Sequence, residues 1–357
     1  MNSRQKYLIN RDELRILDEE FMARSKKTRK SKEQKQPPRF GIGILALVLL
    51  LGAVYALLDP AQVLWRGPVP PPGRPIENAL ELQIALARSG FSPGPIDGAP
   101  GSQTRGALSA FQASRGLAVT GVWDPALDEW LSIEEPTHVY IELTAAALAR
   151  LTPRPESWRE RGQLDHLGYH STLEMVAEKA CADPDYIRSI NPHVDWTALQ
   201  PGDRILAPLV VPYHIGQEIG RIEIRLQARE LQAFDPAGQL LFHCPVSIAR
   251  EVAKRPVGEL KVEVRVENPN YTFNPNILSA AAEREGISEK FVIQPGPNNP
   301  VGSVWLGLNR PSYGIHGTPE PEQVGRTESS GCFRLANWNA QTLLQATEVG
   351  TPVLVLP

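Results

Sequence analysis

The chain has 357 residues, 42% hydrophobic and 22% charged, with a formal net charge of −3; at about 150 residues per domain it has room for two or three compact units. Residues 1–39 hold twelve Lys/Arg against six Asp/Glu, which leaves 25 basic and 34 acidic groups for the rest, and a net-acidic body excludes a protein that works through a basic face on nucleic-acid phosphates. Three cysteines, Cys181, Cys244 and Cys332, with no C-x-x-C or H-E-x-x-H spacing, exclude a disulfide scaffold and indicate no zinc site; no metal or cofactor is expected.

In the arm, Asn10-Arg11-Asp12-Glu13 offers an N-cap with a glutamate three residues on, and Leu14, Leu17 and Phe21 follow at helical spacing, which predicts a short solvated helix with no assigned function. From Phe40 to Leu58 the run FGIGILALVLLLGAVYALL carries no charge. A helix of that length spans roughly 28 Å, close to the ~30 Å hydrocarbon core of a bilayer. Lys26, Lys27, Arg29, Lys30, Lys32, Lys35 and Arg39 precede it, whereas Asp59 and sparse Arg66 and Arg74 follow. Positive flanks stay inside, so the arm (1–39) is expected in the cytoplasm, the span (40–58) in the cytoplasmic membrane and the remainder beyond it. Val54-Tyr55-Ala56 loosely resembles a signal-peptidase site, but the apolar run and basic arm are both longer than a signal peptide's. An uncleaved anchor is the reading. Residues 59–75, with RGPVPPPGRP at their end, read as a semi-rigid extended linker.

Over 76–133 helical patterns alternate with Gly/Pro turns. Ala79, Leu82 and Leu86 make one stripe and Leu108, Phe111 and Leu117 another, which predicts a small three-helix unit with an ordered loop at Asp97-Gly98. The succession Leu82-Gln83, Gly90-Phe91, Ile96-Asp97-Gly98, Gly101, Thr104, Ala107-Leu108, Phe111-Gln112, Leu117 and Thr120-Gly121 resembles the peptidoglycan-binding domain of cell-wall hydrolases. The connecting region, 134–168, has no clear identity. In 169–210, Ser171-Thr172-Leu173, Met175-Val176-Ala177, Ile187, Ile190-Asn191-Pro192, Leu199, Pro201-Gly202 and Ile205 suggest strand, helix, helix, strand. That order is similar to a LysM module, an α+β unit that binds the glycan of the wall, although Tyr169-His170-Ser171 stands where an opening Gly-Asp is expected.

From 211 to 357 the pattern turns to period two: Ile222, Ile224 and Leu226, then Leu260, Val262, Val264 and Val266, alternate with polar residues as half-buried strands do. Asp235-Pro236-Ala237-Gly238 signals a hairpin. A mainly β domain is expected, with helices near 276–286 and 336–349 and a last strand after Gly350-Thr351-Pro352. His316, in YGIHGT, stands at a strand end entering a loop; Cys332, in SSGCFRL, follows sixteen residues later. A free thiol is only a few per cent ionised at neutral pH, so a nucleophilic cysteine needs a base, and His316 is the candidate. Gly331 would let backbone N–H groups approach an oxyanion, and Arg334 could hold a carboxylate bidentately. On spacing alone, a buried structural cysteine is the better reading of Cys332. His243 and Cys244 are strand neighbours pointing to opposite faces and cannot form a dyad; Cys244 and Cys181 read as core.

The run Gln294-Pro295-Gly296-Pro297-Asn298-Asn299-Pro300-Val301-Gly302, then Leu306-Gly307-Leu308, Ile315-His316-Gly317-Thr318 and Ser329-Ser330-Gly331-Cys332-Phe333-Arg334-Leu335 resembles the YkuD-type catalytic domain of bacterial L,D-transpeptidases. The resemblance implies that Cys332 is the nucleophile, His316 its base, the backbone at Gly331 the oxyanion site, and Arg334, Gly317, Thr318 and Ser330 the substrate pocket. Many relatives have a second histidine where Ser330 stands, so any role of that residue is absent here. The implied reaction is a thioester with a peptidoglycan tetrapeptide stem, loss of D-alanine and transfer to an amine, giving a 3→3 cross-link or attaching an envelope lipoprotein in the periplasm. With water as acceptor the site would be an L,D-carboxypeptidase, and without turnover a non-catalytic peptidoglycan-binding scaffold.

Overall fold

The computed structural model describes residues 73–357 apart from 134, 135 and 330. The basic arm, the predicted membrane span and the linker as far as residue 72 lie outside the described residues, and among the described ones no helix is long and apolar enough to cross a membrane.

Two helices open the described chain, α1 (Ala79–Arg88) and α2 (Ser102–Ser114). Asn78 caps α1, its Oδ1 accepting from Glu81 N at 3.0 Å, and supplies one of the acceptors the first helical turn lacks. Two buried glutamines then shape the turns. Gln83 accepts from Gly98 N (2.8 Å) and donates to Asp97 Oδ1 (2.8 Å) and Ala99 O (3.0 Å), which orders the Asp97-Gly98 loop. Gln112 accepts from Thr120 N and Gly121 N, both at 2.9 Å. Gly98 and Gly121 adopt φ of +74° and +63°, a region glycine enters without strain. The predicted third helix is corrected to a single 3₁₀ turn, Pro125–Leu127. Only three residues separate the Gly121 turn from Pro125, and Leu127 N closes on Asp124 O at 3.0 Å, which leaves a tight turn instead of a helix.

The next elements are β1 (His138–Glu142), α3 (Ala145–Ala149), α4 (Trp158–Gln163), α5 (Thr172–Lys179), α6 (Pro184–Ile190) and β2 (Arg204–Pro208). The strand expected at 171–173 is absent: Ser171 is the N-cap of α5, its Oγ accepting from Glu174 N at 3.1 Å while Glu174 Oε2 accepts from His170 N at 2.8 Å. Ser-Thr-Leu-Glu closes a variant of the capping box, the glutamate reaching the backbone one residue before the cap. The strand that pairs with β2 is β1, from the connecting region, antiparallel with His138 opposite Pro208 and Glu142 opposite Arg204.

The rest is mainly β, as the period-two pattern requires. Strands β3 (Arg221–Arg225), β4 (Glu230–Phe234), β5 (Leu240–Pro245), β6 (Gly258–Glu267), β9 (Val304–Leu308), β10 (Gly314–His316), β11 (Phe333–Arg334) and β12 (Pro352–Leu356) form one eight-stranded sheet in the order β11-β10-β9-β6-β12-β3-β4-β5. Its ends meet: Ser247, just past β5, exchanges backbone hydrogen bonds with Arg334 at 2.9 and 3.0 Å, so the sheet curls almost shut. Inside lie Ile222, Ile224, Leu231, Cys244, Val262, Leu306, Ile315, Phe333 and Val353, with helix α8 (Asn337–Ala346) contributing Ala340 and Leu343. The hairpin β7 (Tyr271–Phe273) and β8 (Phe291–Ile293), with α7 (Ser279–Glu285) between them, packs a separate cluster on Trp158 and Leu164 of the connecting region. The α2 side of the helical unit rests on Phe234 and Leu240. Its backbone continues the sheet edge, with Ser92 N on His243 O (2.9 Å) and His243 N on Gly90 O (3.0 Å).

Candidate active site

The geometry of the site follows from three neighbouring strands. β9 and β10 are antiparallel, with Gly307 opposite Gly314 and Trp305 opposite His316; β10 and β11 are parallel, with Ile315 opposite Phe333 and His316 opposite Arg334. Side chains alternate faces along a strand. Leu306, Ile315 and Phe333 therefore enter the core, and Trp305, His316 and Arg334 share the other face. Trp305 stacks on His316 with ring centroids 5.7 Å apart and planes at 26°. The glycines across the hairpin make room for the indole: a Cβ at Gly314 would lie 2.6 Å from its ring, and one at Gly307 2.9 Å from Nε1. Gly314→Ala is expected to push Trp305 off the imidazole and lower turnover at least ~10-fold, about 1.4 kcal/mol of barrier; unchanged kinetics with a folded variant would contradict that role.

Cys332 sits at the bend leading into β11, partly exposed. Its Sγ donates to Ser312 O at 3.4 Å, and the Gly314 N–H also favours the ionised sulfur, so the thiol lies level with the start of β10. His316 lies two residues further along that strand, a backbone rise of about 6.6 Å. Among the described residues no hydrogen bond joins the two, and in unliganded sites such contacts are commonly long and tighten only when substrate binds. His316 is buried, and its Nδ1 lies 2.6 Å from Gly317 O. A carbonyl can only accept, so Nδ1 carries the proton and Nε2 keeps a free lone pair, the form a general base needs.

Burial pushes His316 down to about 4, with the Gly317 carbonyl opposing the shift and the Arg334 charge adding to it. Burial also raises the Cys332 thiol. Both shifts favour the neutral forms, thiol and imidazole, so that the proton moves as the sulfur attacks. An acid limb of kcat/KM is expected near pH 4, because His316 stays unprotonated and competent down to that pH; a limb near the ordinary histidine value of 6.5 would contradict the burial that produces the shift.

The other predicted residues fall into two groups. Arg334 faces the cleft side, its Nη2 donating to Thr327 Oγ1 and Glu328 O, each at 3.0 Å. Its Nε is buried without a partner among the described residues. Gly331 N donates to Ser329 Oγ at 3.3 Å, and a Cβ at Gly331 would meet nothing within 4 Å. Ser330 lies outside the described residues. Gly317 and Thr318 are buried behind the imidazole instead of lining open space. A Cβ at Gly317 would come within 2.1 Å of Asn337 Oδ1, the atom that accepts from Thr318 N at 3.1 Å. Gly317→Ala is expected to destabilise the fold by about 1–3 kcal/mol; a thermal melt equal to the wild type would contradict that packing.

Cys244 and Cys181 are buried and free, burial pushing both thiols far up, and His243 is held down to about 3 by the same cause. Among the described residues no group of three or more His, Cys, Asp or Glu is placed to hold a metal ion. Sequence reasoning missed Trp305 and Asn337. The first was legible, since the V-W-L-G-L alternation puts Trp305 on the face of Gly307; nothing nearby marked Asn337 as a partner of Thr318.

Residues 219–355 match a family model described as the L,D-transpeptidase catalytic domain, and residues 77–131 one described as "Putative peptidoglycan binding domain". "Putative L,D-transpeptidase YkuD" of Bacillus licheniformis is 25% identical over 191 residues, 52% of this chain and 94% of that protein. "Putative L,D-transpeptidase YqjB" of Bacillus subtilis is 39% identical over 105 residues, 28% of this chain and 51% of that one. A "Putative L,D-transpeptidase in ATP synthase subunits region ORF 5" of Fuscovulum blasticum is 33% identical over 116 residues, 32% of this chain and 57% of that one. The chain thus spans about half the length of the last two. Among solved structures, the L,D-transpeptidase (residues 123-326) from Xylanimonas cellulosilytica aligns at 16% identity over 81% of this chain and 100% of that one, with a TM-score of 0.33, too low for the superposition to add to the family matches.

Proposed function

We propose that the chain is a cysteine-dependent acyltransferase of the bacterial cell wall, anchored by residues 40–58 in the cytoplasmic membrane with its catalytic part in the periplasm. The observation that carries the reading is the pinned tautomer of His316 on the strand beside the Cys332 bend, inside the stretch that matches the transpeptidase domain. In the first half-reaction Sγ attacks the carbonyl of the third residue of a tetrapeptide stem as its proton passes to His316 Nε2. The tetrahedral oxyanion forms near the backbone at Gly331 and Cys332. Since Gly331 N–H rests on Ser329 Oγ in the free protein, it must exchange that hydroxyl for the oxyanion. Collapse breaks the amide bond; the D-alanine nitrogen leaves with the proton from His316, and a thioester remains on Cys332. In the second half an amine attacks the thioester and gives its proton to His316, the new amide forms, and the thiolate regains its proton from the imidazolium. The amine is that of a second stem or of a lipoprotein lysine. The helical unit at 77–131 would hold the enzyme on the polymer, and weak contacts of this kind raise the local concentration of stems.

Incubating the full chain with disaccharide tetrapeptides and resolving the products by mass spectrometry tests the reading. Free D-alanine with 3→3 dimers is the expected result. Tripeptide without dimers would replace transfer by hydrolysis at the same site, and unchanged tetrapeptide from a folded protein would overturn catalysis in favour of a binding scaffold.

A further inference from the structure

Helix α5 lies outside both family matches, yet it reaches the catalytic loops. We propose that Glu178 of α5 is a positioning residue for the catalytic imidazole: through Asn337 it fixes the loop whose carbonyl holds His316 Nδ1–H. The inference rests on His316 being the base of the proposed reaction.

Asn337 is the first residue of α8, and its side chain is almost fully buried. Its Oδ1 accepts from two backbone groups, Ser303 N and Thr318 N, both at 3.1 Å. Its Nδ2 donates to both carboxylate oxygens of Glu178 at 3.1 Å and to Pro297 O at 3.2 Å. Space is fitted to this amide: a Cβ at Gly302 or at Gly317 would each come within 2.1 Å of Oδ1. The carbonyl of Gly317 is the acceptor that fixes the His316 tautomer. One side chain therefore ties together the turns on either side of the imidazole.

An amide has two nearly equal ends, and only its partners decide which faces where. Two backbone donors on one side demand the oxygen, and Glu178 on the other demands the NH₂. If Glu178 is removed, Nδ2 keeps only Pro297 O, and the amide that spans Ser303 N and Thr318 N is held firmly from one end alone. Tyr169 OH in turn donates to Glu178 Oε1 at 3.2 Å. The same helix repeats the device one turn earlier, where Asn298 Nδ2 donates to Glu174 Oε1 at 2.6 Å. Two glutamates at i and i+4 thus grip two asparagines of the transpeptidase-matched segment. This is a docking geometry that the core packing of α5, through Leu173 and Val176, does not require.

The carboxyl of Glu178 is buried, which pushes it up to about 8; Glu174 and Glu322 push the same way, and the Asn337 and Tyr169 hydrogen bonds oppose them. No cation is among the causes of its shift. The folded chain keeps this proton up to about pH 8, whereas an unfolded glutamate releases it near 4.5. Folding therefore binds a proton across that window, and stability falls as pH rises through it.

The test reads His316 directly, without turnover. In full-length protein with ¹⁵N-labelled histidine, the wild type is expected to show the Nδ1–H tautomer with a pKa near 4. Glu178→Ala is expected to mix the tautomers and, with the Gly317 carbonyl no longer held to oppose burial, to move that pKa further down from the ordinary histidine value, with kcat falling at least ~10-fold and KM little changed. Glu178→Gln, whose amide oxygen still accepts from Asn337, is expected to restore the wild-type tautomer and to flatten the stability slope between pH 4.5 and 8. Wild-type imidazole signals in Glu178→Ala would overturn the proposal, as would equal disturbance in both variants. If Glu178→Ala does not fold, failure of Glu178→Gln to keep the tautomer overturns it. An inactive wild type whose imidazole responds as described would refute the proposed reaction and leave this coupling intact.

Discussion

Cys332→Ala is expected to abolish D-alanine release while leaving the thermal midpoint of the protein within about 1 °C. The first half follows from chemistry: without Sγ the bend before β11 carries no thiol, and the neighbouring hydroxyl of Ser329 is turned away, donating to Cys332 O at 2.6 Å. The second half follows from packing. The sulfur is partly exposed, and its hydrogen bond to Ser312 O, at 3.4 Å, is a weak thiol contact, so its removal opens little buried space. Cys332→Ser separates nucleophile from scaffold. A serine hydroxyl beside a base whose own proton affinity is depressed to about 4 is hard to activate, and a loss of at least ~10³-fold is expected. Substantial activity in Cys332→Ala would remove the cysteine from the mechanism. The parallel changes Cys181→Ala and Cys244→Ala should cost stability and not chemistry, since both side chains are sealed in the core.

His316→Gln is expected to lower kcat by about 10²–10⁴, the usual worth of a positioned general base. Glutamine can still donate to Gly317 O, so the loop keeps its hydrogen bond, but it has no lone pair basic enough to take the thiol proton. The loss should shrink as the pH is raised toward the thiol's own ionisation, because a sulfur already ionised needs no base. The wild type should show no such recovery. A pH-independent loss would mean that His316 acts by packing on Trp305 alone, and no loss would remove it from the proton path.

Much of this site was legible before any coordinates. His316 at a strand end, the last helix (expected at 336–349, found at Asn337–Ala346) and the final strand followed from periodicity and turn residues. The misreadings have local causes. At 171–173 three residues of strand-like character lost to a serine cap with Glu174 three residues on, and the cap decides where a helix begins. Near Pro125 the Gly121 turn and a proline left no length for a third helix. The protonation of the pair was illegible for a different reason: it depends on burial from segments distant in sequence, and so does the 159-residue separation between Glu178 and Asn337. Local pattern carries the strands; only the fold reveals which remote side chains, Glu178 and Asn337, stand behind the His316 loop.

The central claim is that Sγ of Cys332 takes the acyl group. Full-length protein mixed with a tetrapeptide stem, quenched in acid, digested and mass-mapped, measures it most directly. The account predicts an adduct of the stem less its terminal D-alanine on the peptide that contains Cys332, formed at the rate of D-alanine release. Release of D-alanine with no adduct at Cys332, or with the acyl group on another residue, would contradict it.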